Sequence, residues 1–276
     1  MSALRFARQH PFDCSLTTRF KAVHVLDFLQ PRPGENLLDV GCGLGYFLNR
    51  LARGGVRGWG MDYSHKSLAL ARRLCSAHFA QGDAQVLPYR DNSFDQIIFT
   101  DVIEHVADDR AALRELVRVA RPGARLALVT PGVRGALART RWRRLFHDEE
   151  GTPEYDQRAG YTPEELRRLL EEAGVRVQAQ RQTLIFLGEF FLQLTKWYLA
   201  RKKVHYQTQG DLLEITDTWA YRLYRRVLFP VFWGIGRVEE LLVGRWCDGH
   251  SLIVLGVVDK PVAVPERRGM ALEASR

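Results

Sequence analysis

The sequence predicts an α/β protein built on a doubly wound, mostly parallel sheet of seven strands. Apolar runs of strand length alternate with amphipathic runs of helix length as far as residue 183. A glycine-rich turn follows the first of these strands, and a last β-rich run lies at residues 251–258. Residues 184–248 interrupt the alternation with many aromatic side chains, and they are predicted to form a helical insertion before the last strand.

The order of elements follows from apolar periodicity and from turn residues. A helical cap is predicted for residues 1–35, with its helix at 15–29. Strands are predicted at 36–40, 58–62, 78–83, 94–100, 125–130, 175–180 and 251–258. The core unit is predicted at 36–183, with its last strand at 249–260. Helices are predicted at 46–52, 65–74, 108–120 and from Thr162, where a capping threonine precedes a proline and two acids. Residues 261–276 lack periodicity and are predicted to be a loose tail.

Composition excludes several classes of protein. The 276 residues are 46% hydrophobic and 26% charged, which are globular values and not those of a disordered, collagen-like or coiled-coil chain. Four scattered cysteines indicate neither a disulfide framework nor a zinc site, so no metal is predicted. The sequence shows no secretory signal and no apolar run of about 20 residues, so we expect a cytoplasmic protein.

The charge of the chain is positive, with 40 Lys and Arg against 32 Asp and Glu. Such a balance favours anionic partners such as phosphates, nucleic acid or a lipid surface, although a compositional bias of the source organism gives the same number. Five arginines crowd residues 134–144, immediately after the predicted fifth strand: Arg134, Arg139, Arg141, Arg143 and Arg144.

A glycine turn joins the first strand to the next helix. Gly41, Gly43 and Gly45 allow a close approach of the backbone to a ligand, and the helix N-terminus offers unpaired N–H groups. The dinucleotide fingerprint would need a sixth-position glycine where Tyr46 stands, so NAD binding is disfavoured.

Further features follow the glycine turn in order. Asp39 precedes the first glycine by two residues, Asp62 ends the second strand, and Gly82-Asp83-Ala84 follows the third. With Leu87-Pro88 and the stretch 91–95, this ordered set resembles the class I S-adenosylmethionine (SAM) dependent methyltransferases, especially the small-molecule and lipid branch. The resemblance covers about residues 36–183 and implies a Rossmann-like fold and SAM as cofactor.

The resemblance also implies the roles of single residues. Contacts to the methionine part of SAM are implied for Asp39, Gly41, Gly43 and Gly45. Asp62, with Tyr63 beside it, is implied to bind the ribose hydroxyls, and Asp83 with Ala84 the adenine. Asp101, directly after the fourth strand, is implied to lie near the sulfonium and the methyl acceptor.

Methyl transfer needs a base only if the acceptor must lose a proton. The candidates for catalysis are Asp101, His105 and His147, with Asp101 and His105 at the carboxyl edge of the sheet. The alternative for Glu104 and His105 is that they cap a helix and pack under the cofactor. Related enzymes often carry a histidine where this chain has Arg158, which leaves the base open.

The insertion at 184–248 carries two amphipathic stripes. The first stripe sets Leu187, Phe191, Leu194 and Tyr198 opposite Glu189, Gln193 and Lys196. The second stripe consists of Leu212, Ile215, Trp219, Leu223 and Val227. An apolar patch at 228–234, with Trp233, follows and is too short to span a bilayer. The insertion is predicted either to roof the acceptor pocket or to face a membrane.

Together these features predict a SAM-dependent methyltransferase for an amphiphilic or lipid-type acceptor at or near an anionic membrane surface, cytoplasmic or peripheral on the inner face of the membrane. A soluble metabolite or sugar is the alternative acceptor. A nucleic-acid substrate is disfavoured, since the chain lacks the Asn/Asp-Pro-Pro-Tyr/Phe signature. A SAM-binding module without catalysis is the remaining alternative.

Overall fold

The computed structural model describes residues 10–51, 54–133, 158, 160–201, 219–244 and 246–260. Within these ranges the chain forms one seven-stranded sheet in the order β3-β2-β1-β4-β5-β7-β6, with β7 antiparallel to both of its neighbours. The strands are β1 (Asn36–Val40), β2 (Arg57–Asp62), β3 (His78–Gln81), β4 (Phe94–Thr100), β5 (Ala120–Pro131), β6 (Val175–Thr183) and β7 (Ser251–Val258). The predicted α/β fold with a mostly parallel sheet is confirmed.

Helices flank both faces of this sheet. They are α1 (Leu16–Leu29), α2 (Tyr46–Leu51), α3 (His65–Leu74), α4 (Asp109–Val119), α5 (Pro163–Glu172), α6 (Leu187–Arg201), α7 (Trp219–Leu223) and α8 (Phe229–Val243). A π-helical turn, Tyr224–Leu228, joins α7 to α8 without a break. None of the helices that the structure describes is both long enough and apolar enough to cross a membrane.

Alternating strand residues divide the core into two clusters. Leu38 and Ile97 pack on one face of the sheet with α4 and α5, while Leu37 and Ile98 pack on the other face with α1, α2 and α3. This period-two division is the pattern of a sheet that is covered on both sides. The doubly wound arrangement therefore leaves the carboxyl ends of the central strands open at one edge.

Capping side chains fix where three helices begin. Ser15, Asp108 and Thr162 each accept a hydrogen bond from a backbone N–H three residues later, at 3.3, 2.9 and 3.2 Å. The Thr162 cap was predicted as such, whereas residues 15 and 108 were predicted inside their helices. Both precede the first helical residue because their side chains satisfy N–H groups that have no intrahelical partner.

Four strands differ from the predictions at their ends. β2 starts at Arg57, one residue early, and β6 ends at Thr183 and not at residue 180. β3 ends at Gln81 and not at residue 83, because Asp83 turns back in a bridge with Val86. β5 starts at Ala120 and not at residue 125, so the Arg-Pro-Gly sequence lies inside a strand. The Arg-Pro-Gly sequence predicts a break before the strand. In the structure Gly123, at φ +80°, lies where the pairing of β5 with β4 shifts in register.

The insertion packs through a third apolar cluster that includes the N-terminal helix. Phe20 of α1 contacts α8 where Gly236 leaves room for it, and Phe191 of α6 stacks on Phe232 of α8. Glu239 of α8 accepts hydrogen bonds from the N–H groups of residues 186, 187 and 188 at 2.7–3.1 Å. That carboxylate caps the N-terminus of α6 from another helix.

The predicted polar face of α6 is wrong, although Phe191 of the predicted apolar stripe does pack inward on Phe232. Glu189 and Gln193 are buried, although they were placed on the polar face, while Leu187 is exposed. The packing of α6 against α8 in the third apolar cluster places these two polar residues against the protein. Tyr198 and Lys196 lie in a stretch whose side chains are outside the described residues, as do Leu212 and Ile215 of the second stripe.

The contact of α8 with α1 allows a test of this packing. A Cβ at Gly236 would lie 2.6 Å from the ring of Phe20, whereas a Cβ at Gly234 of the same helix meets nothing within 4 Å. Phe20 is fully buried and has no room to move. We expect Gly236→Val to lower the free energy of unfolding by about 2 kcal/mol, as overpacking does.

The matched variant Gly234→Val should change that free energy by less than about 0.5 kcal/mol, which denaturant unfolding resolves. Equal stability of the two variants would contradict the α1–α8 contact.

Candidate functional site

A cavity of about 300 Å³ opens where β1, β2 and β4 end, beside the turn into α2. Six residues that the sequence analysis selected line it together: Asp39, Gly41, Asp62, Tyr63, Asp101 and His105. This edge, outside the carboxyl ends of the strands, is where open α/β sheets bind ligands. The structure therefore brings most of the predicted site into one place.

The turn after β1 is built from left-handed glycines. Gly41, Gly43 and Gly45 have φ values of +74°, +51° and +75°, which side chains rarely adopt. A Cβ at Gly41 would lie 2.1 Å from Val102 Cγ2, and one at Gly45 would lie 2.8 Å from Cys75 Sγ. At these two positions the protein's own packing requires glycine, in addition to any ligand that approaches the backbone.

Asp62 holds this turn in place. Its Oδ2 accepts a hydrogen bond from the N–H of Gly43, and its Oδ1 accepts one from the N–H of Ser64, both at 2.8 Å. A carboxylate has about four lone-pair positions, so two remain for a ligand that donates hydroxyls. Asp62 thus has a structural role in the turn that the sequence analysis missed, beside the ligand role that the resemblance implies.

Asp39 is a buried carboxylate without a partner among the described residues. It is 1% exposed, and neither of its oxygens accepts a hydrogen bond there. Burial, and then the nearby charge of Asp62, raises the pKa of Asp39 to about 8. An uncompensated carboxyl in a cavity wall favours a cationic or hydrogen-bond-donating ligand, and the ammonium group of the methionine part of SAM fits this requirement.

Asp101 is paired with a lysine that the sequence analysis did not select. Lys21 of α1 donates from Nζ to both carboxylate oxygens of Asp101, at 2.7 and 2.6 Å, and Lys21 itself is buried. Both residues line the cavity. The pair is separated by 80 positions, so only the fold reveals it. The one local signal is that lysine is rare in this arginine-rich chain, where Lys21 is one of six.

Glu104 and His105 differ in their environments. Glu104 is buried and accepts a hydrogen bond from the Thr130 hydroxyl at 3.1 Å, and burial together with the Asp101 carboxylate raises the pKa of Glu104. His105 is exposed and lines the cavity. The alternative that these residues cap a helix is wrong, because Asp108 caps α4.

The remaining candidates lie away from this cavity or outside the described residues. Asp83 is exposed, accepts hydrogen bonds from Gln85, and follows β3 at the next strand end; Ala84 beside it is buried. Neither Asp83 nor Ala84 lines the cavity. His147 and the arginines at 134–144 lie outside the described residues.

Arg158, at the position where a histidine was considered, has structural contacts. It forms ion pairs with Glu165 and with Asp109, and its guanidinium lies 4.0 Å from the centre of the Tyr161 ring. These contacts tie the chain before α5 to both α4 and α5. Arg158 is therefore committed to packing and not to the cavity described above.

Comparison with known proteins agrees with this geometry. Residues 38–128 match the family model described as a methyltransferase domain. An O-methyltransferase of Pyrenophora dematioidea is 33% identical over 174 residues, covering 59% of this chain and 62% of that protein. A demethylmenaquinone methyltransferase of Corynebacterium efficiens is 35% identical over 100 residues, covering 36% of this chain and 43% of that protein. The match therefore spans less than two thirds of either relative.

A solved structure shares the fold. Phosphoethanolamine N-methyltransferase 2 of Haemonchus contortus, in complex with SAM, superposes with a TM-score of 0.55 at 17% identity. The superposition covers 87% of this chain and 52% of that one. At this identity the likeness concerns the fold alone.

The buried Asp39 predicts how stability depends on pH. Because the pKa of this carboxyl is raised in the folded state to about 8, its stabilising effect is complete below about pH 4 and is lost as the pH rises through 8. We expect the ligand-free protein to lose on the order of 4 kcal/mol of stability between pH 5 and pH 8 through this residue.

Asn does not titrate, so Asp39→Asn should flatten the profile of unfolding free energy against pH, leaving the slope that Glu104 contributes in the same direction. Chemical denaturation at several pH values measures both profiles. Parallel profiles for the variant and the wild type would show that Asp39 is not buried as described.

Proposed function

We propose that this chain, whose residues 38–128 match a methyltransferase domain, is a SAM-dependent methyltransferase that transfers the methyl group of SAM to an amphiphilic or lipid-type acceptor at or near a membrane surface. The observation that carries the methyl-transfer part is the cavity at the glycine turn, where the unpartnered Asp39 and the anchored Asp62 lie together. The acceptor part rests on the surface of α7 and α8.

The residues of the cavity suit the cofactor. When bound, SAM supplies a methyl group that its sulfonium charge already activates. Asp39 would accept hydrogen bonds from the ammonium group of the methionine part, and the two unused lone-pair positions of Asp62 would accept them from the ribose hydroxyls. Asp83 and Ala84, at the next strand end, would bind the adenine.

The protein's contribution to the reaction is then chiefly to position the acceptor. Both carboxylate oxygens of Asp101 already accept hydrogen bonds from the ammonium of Lys21. His105 is exposed, lines the cavity and has an imidazole ring that can accept a proton. We assign to His105 the removal of a proton from the acceptor where the acceptor must lose one, with His147 as the second candidate.

An exposed apolar stripe on α7 and α8 supports an amphiphilic acceptor. Exposed apolar residues recur every three or four positions along these helices: Trp219, Leu223, Val227, Val231, Ile235, Val238 and Leu242. The 25 residues of this continuous helix span about 37 Å at 1.5 Å per residue. Contiguous apolar surface of this extent marks an interaction surface more often than a solvated face.

The charges beside the stripe favour an anionic lipid surface. Arg222 and Arg226 are exposed next to it. The two acids of the same helix are used elsewhere: Glu239 caps α6, and Glu240 contacts His24 and Arg237. A helix with apolar and cationic residues facing outward, too short in its apolar run to span, suits the interfacial region of a membrane.

The structure narrows which residues would enter the lipid. Within the patch at 228–234, Phe229 is buried and Trp233 packs half-buried under the guanidinium of Arg19, so Trp233 belongs to the third apolar cluster. Leu228, Pro230 and Val231 are the exposed members. The contribution of the arginines at 134–144 stays a prediction. The relative named for demethylmenaquinone is compatible with a large apolar acceptor.

Binding of SAM tests the cofactor site directly. We expect Asp62→Ala to weaken SAM binding about 10- to 150-fold, from two lost charge-assisted hydrogen bonds. Asp27→Ala, which removes an exposed acid of α1, should leave the affinity unchanged. Calorimetry measures the SAM affinity of the wild type and of the two variants, and the same experiment with NAD should show no binding. Unchanged SAM binding by Asp62→Ala would place the ribose elsewhere.

Vesicle sedimentation tests the membrane surface. The triple variant Val227→Ser, Val231→Ser and Val238→Ser should pellet several-fold less with anionic vesicles than the wild type, because each valine that enters lipid contributes about 1–2 kcal/mol. Binding of the wild type should weaken in high salt. Val86→Ser, which removes an equally exposed valine outside these helices, should behave as the wild type, and SAM affinity should be the same in all three proteins.

The acceptor itself is found by incubating the protein with methyl-labelled SAM and a lipid or an aqueous extract of the source cell. Label in the lipid fraction supports the proposal. Label in the aqueous fraction alone, with no difference between the valine variants in vesicle binding, would replace the lipid-type acceptor by a soluble metabolite or sugar.

A further inference from the structure

We infer that Lys21 binds the carboxylate of the methionine part of SAM. When SAM is bound, the ammonium of Lys21 would donate hydrogen bonds both to Asp101 and to this ligand carboxylate. This inference rests on the proposed function. Lys21 lies on α1, outside residues 38–128 that match the methyltransferase domain, so the match assigns no role to it.

The first support is the position of the ammonium group. Lys21 is 8% exposed, and its neighbour one helical turn earlier, Thr18, lines the same cavity. The Nζ atom lies 2.6–2.7 Å from the oxygens of Asp101, at the end of β4. A buried lysine that forms a wall of a ligand cavity is placed to meet an anionic group in that cavity.

The second support is the balance of charge in the cavity. Three carboxylates line it, those of Asp39, Asp62 and Asp101, while Lys21 is the only lysine or arginine among the described lining residues. SAM carries a sulfonium, an ammonium and a carboxylate. The two cations of SAM have several carboxylates to face, whereas Lys21 is the cation among the described lining residues that its carboxylate can face. An unpaired buried charge is costly, so a pairing with Lys21 is favoured.

The third support is the unused hydrogen-bonding capacity nearby. A lysine ammonium has three donors, and Asp101 accepts two of them. Tyr46 also lines the cavity, is 4% exposed, and has a hydroxyl without a hydrogen-bond partner among the described residues. A ligand carboxylate would therefore find a free ammonium donor and an available hydroxyl without breaking the Lys21–Asp101 pair.

The competing role for Lys21 is to hold Asp101 in position without touching the ligand. Decarboxylated SAM distinguishes the two, because it keeps the adenosine, the sulfonium and the amine and lacks only the carboxylate. We propose to measure dissociation constants by calorimetry for SAM and for decarboxylated SAM, with the wild type and with Lys21→Met.

We expect Lys21→Met to weaken SAM binding about 10- to 100-fold, the loss typical of a charge-assisted hydrogen bond, and to change the affinity for decarboxylated SAM less than about threefold. The wild type should prefer SAM to the decarboxylated compound, and the variant should lose that preference. Lys66→Met, which removes an exposed lysine of α3, should behave as the wild type with both ligands.

Two further variants keep the test decisive. Asp101→Asn removes the partner of Lys21 but keeps the ammonium, so it should retain the preference for SAM over decarboxylated SAM. Lys21→Arg keeps the cation and should retain part of that preference even if Lys21→Met folds poorly.

Equal weakening of both ligands by Lys21→Met, matched by Asp101→Asn, would overturn the inference and leave Lys21 as a positioning residue for Asp101. No effect on either ligand would overturn it as well. Both outcomes leave the methyltransferase proposal intact, whereas a folded wild type that binds neither compound would overturn that proposal and this inference together.

Discussion

The left-handed turn between β1 and α2 is the constraint on which the site depends. Three glycines at positive φ carry the chain over the ends of the strands, and Asp62 ties the middle one to β2. Val102 fills the space beside Gly41 on the other side, so the turn is clamped between β2 and the segment after β4. The positions of Gly41 and Asp62 in the cavity follow from this clamp, and Asp39 is buried just before it.

The parts of the site that lie within one short stretch of sequence can be predicted from it, whereas contacts between distant elements cannot. The strand, the glycine turn, Asp39 and Asp62 lie within a short stretch whose residue types restrict the backbone directly, so both the fold and half of the cavity could be predicted. The inward orientation of Glu189 could not, because it depends on how α6 packs against α8, a helix far along the chain. The role of Lys21 could not be predicted for the same reason, since its contact with Asp101 joins residues 80 positions apart.

The N-terminal helix connects two surfaces that sequence analysis treated as separate units. Lys21 reaches the cavity, while Phe20 and His24 contact Gly236 and Glu240 of α8. These three residues of α1 lie within about one helical turn of each other. The wall of the cofactor cavity and the support of the exposed apolar stripe are thus the same short segment, so the helical cap and the insertion form one structural unit over the sheet edge.

The backbone at Asp101 has a consequence for the design of variants. Its φ of +54° lies in the left-handed region, where aspartate and asparagine are tolerated better than other side chains with a Cβ. An alanine at this position would report the strain of the main chain together with the missing carboxylate, and the two losses would be inseparable in any rate or affinity. Asparagine isolates the charge, and glycine isolates the side chain, so mutational scanning that relies on alanine would overstate the chemical importance of this residue.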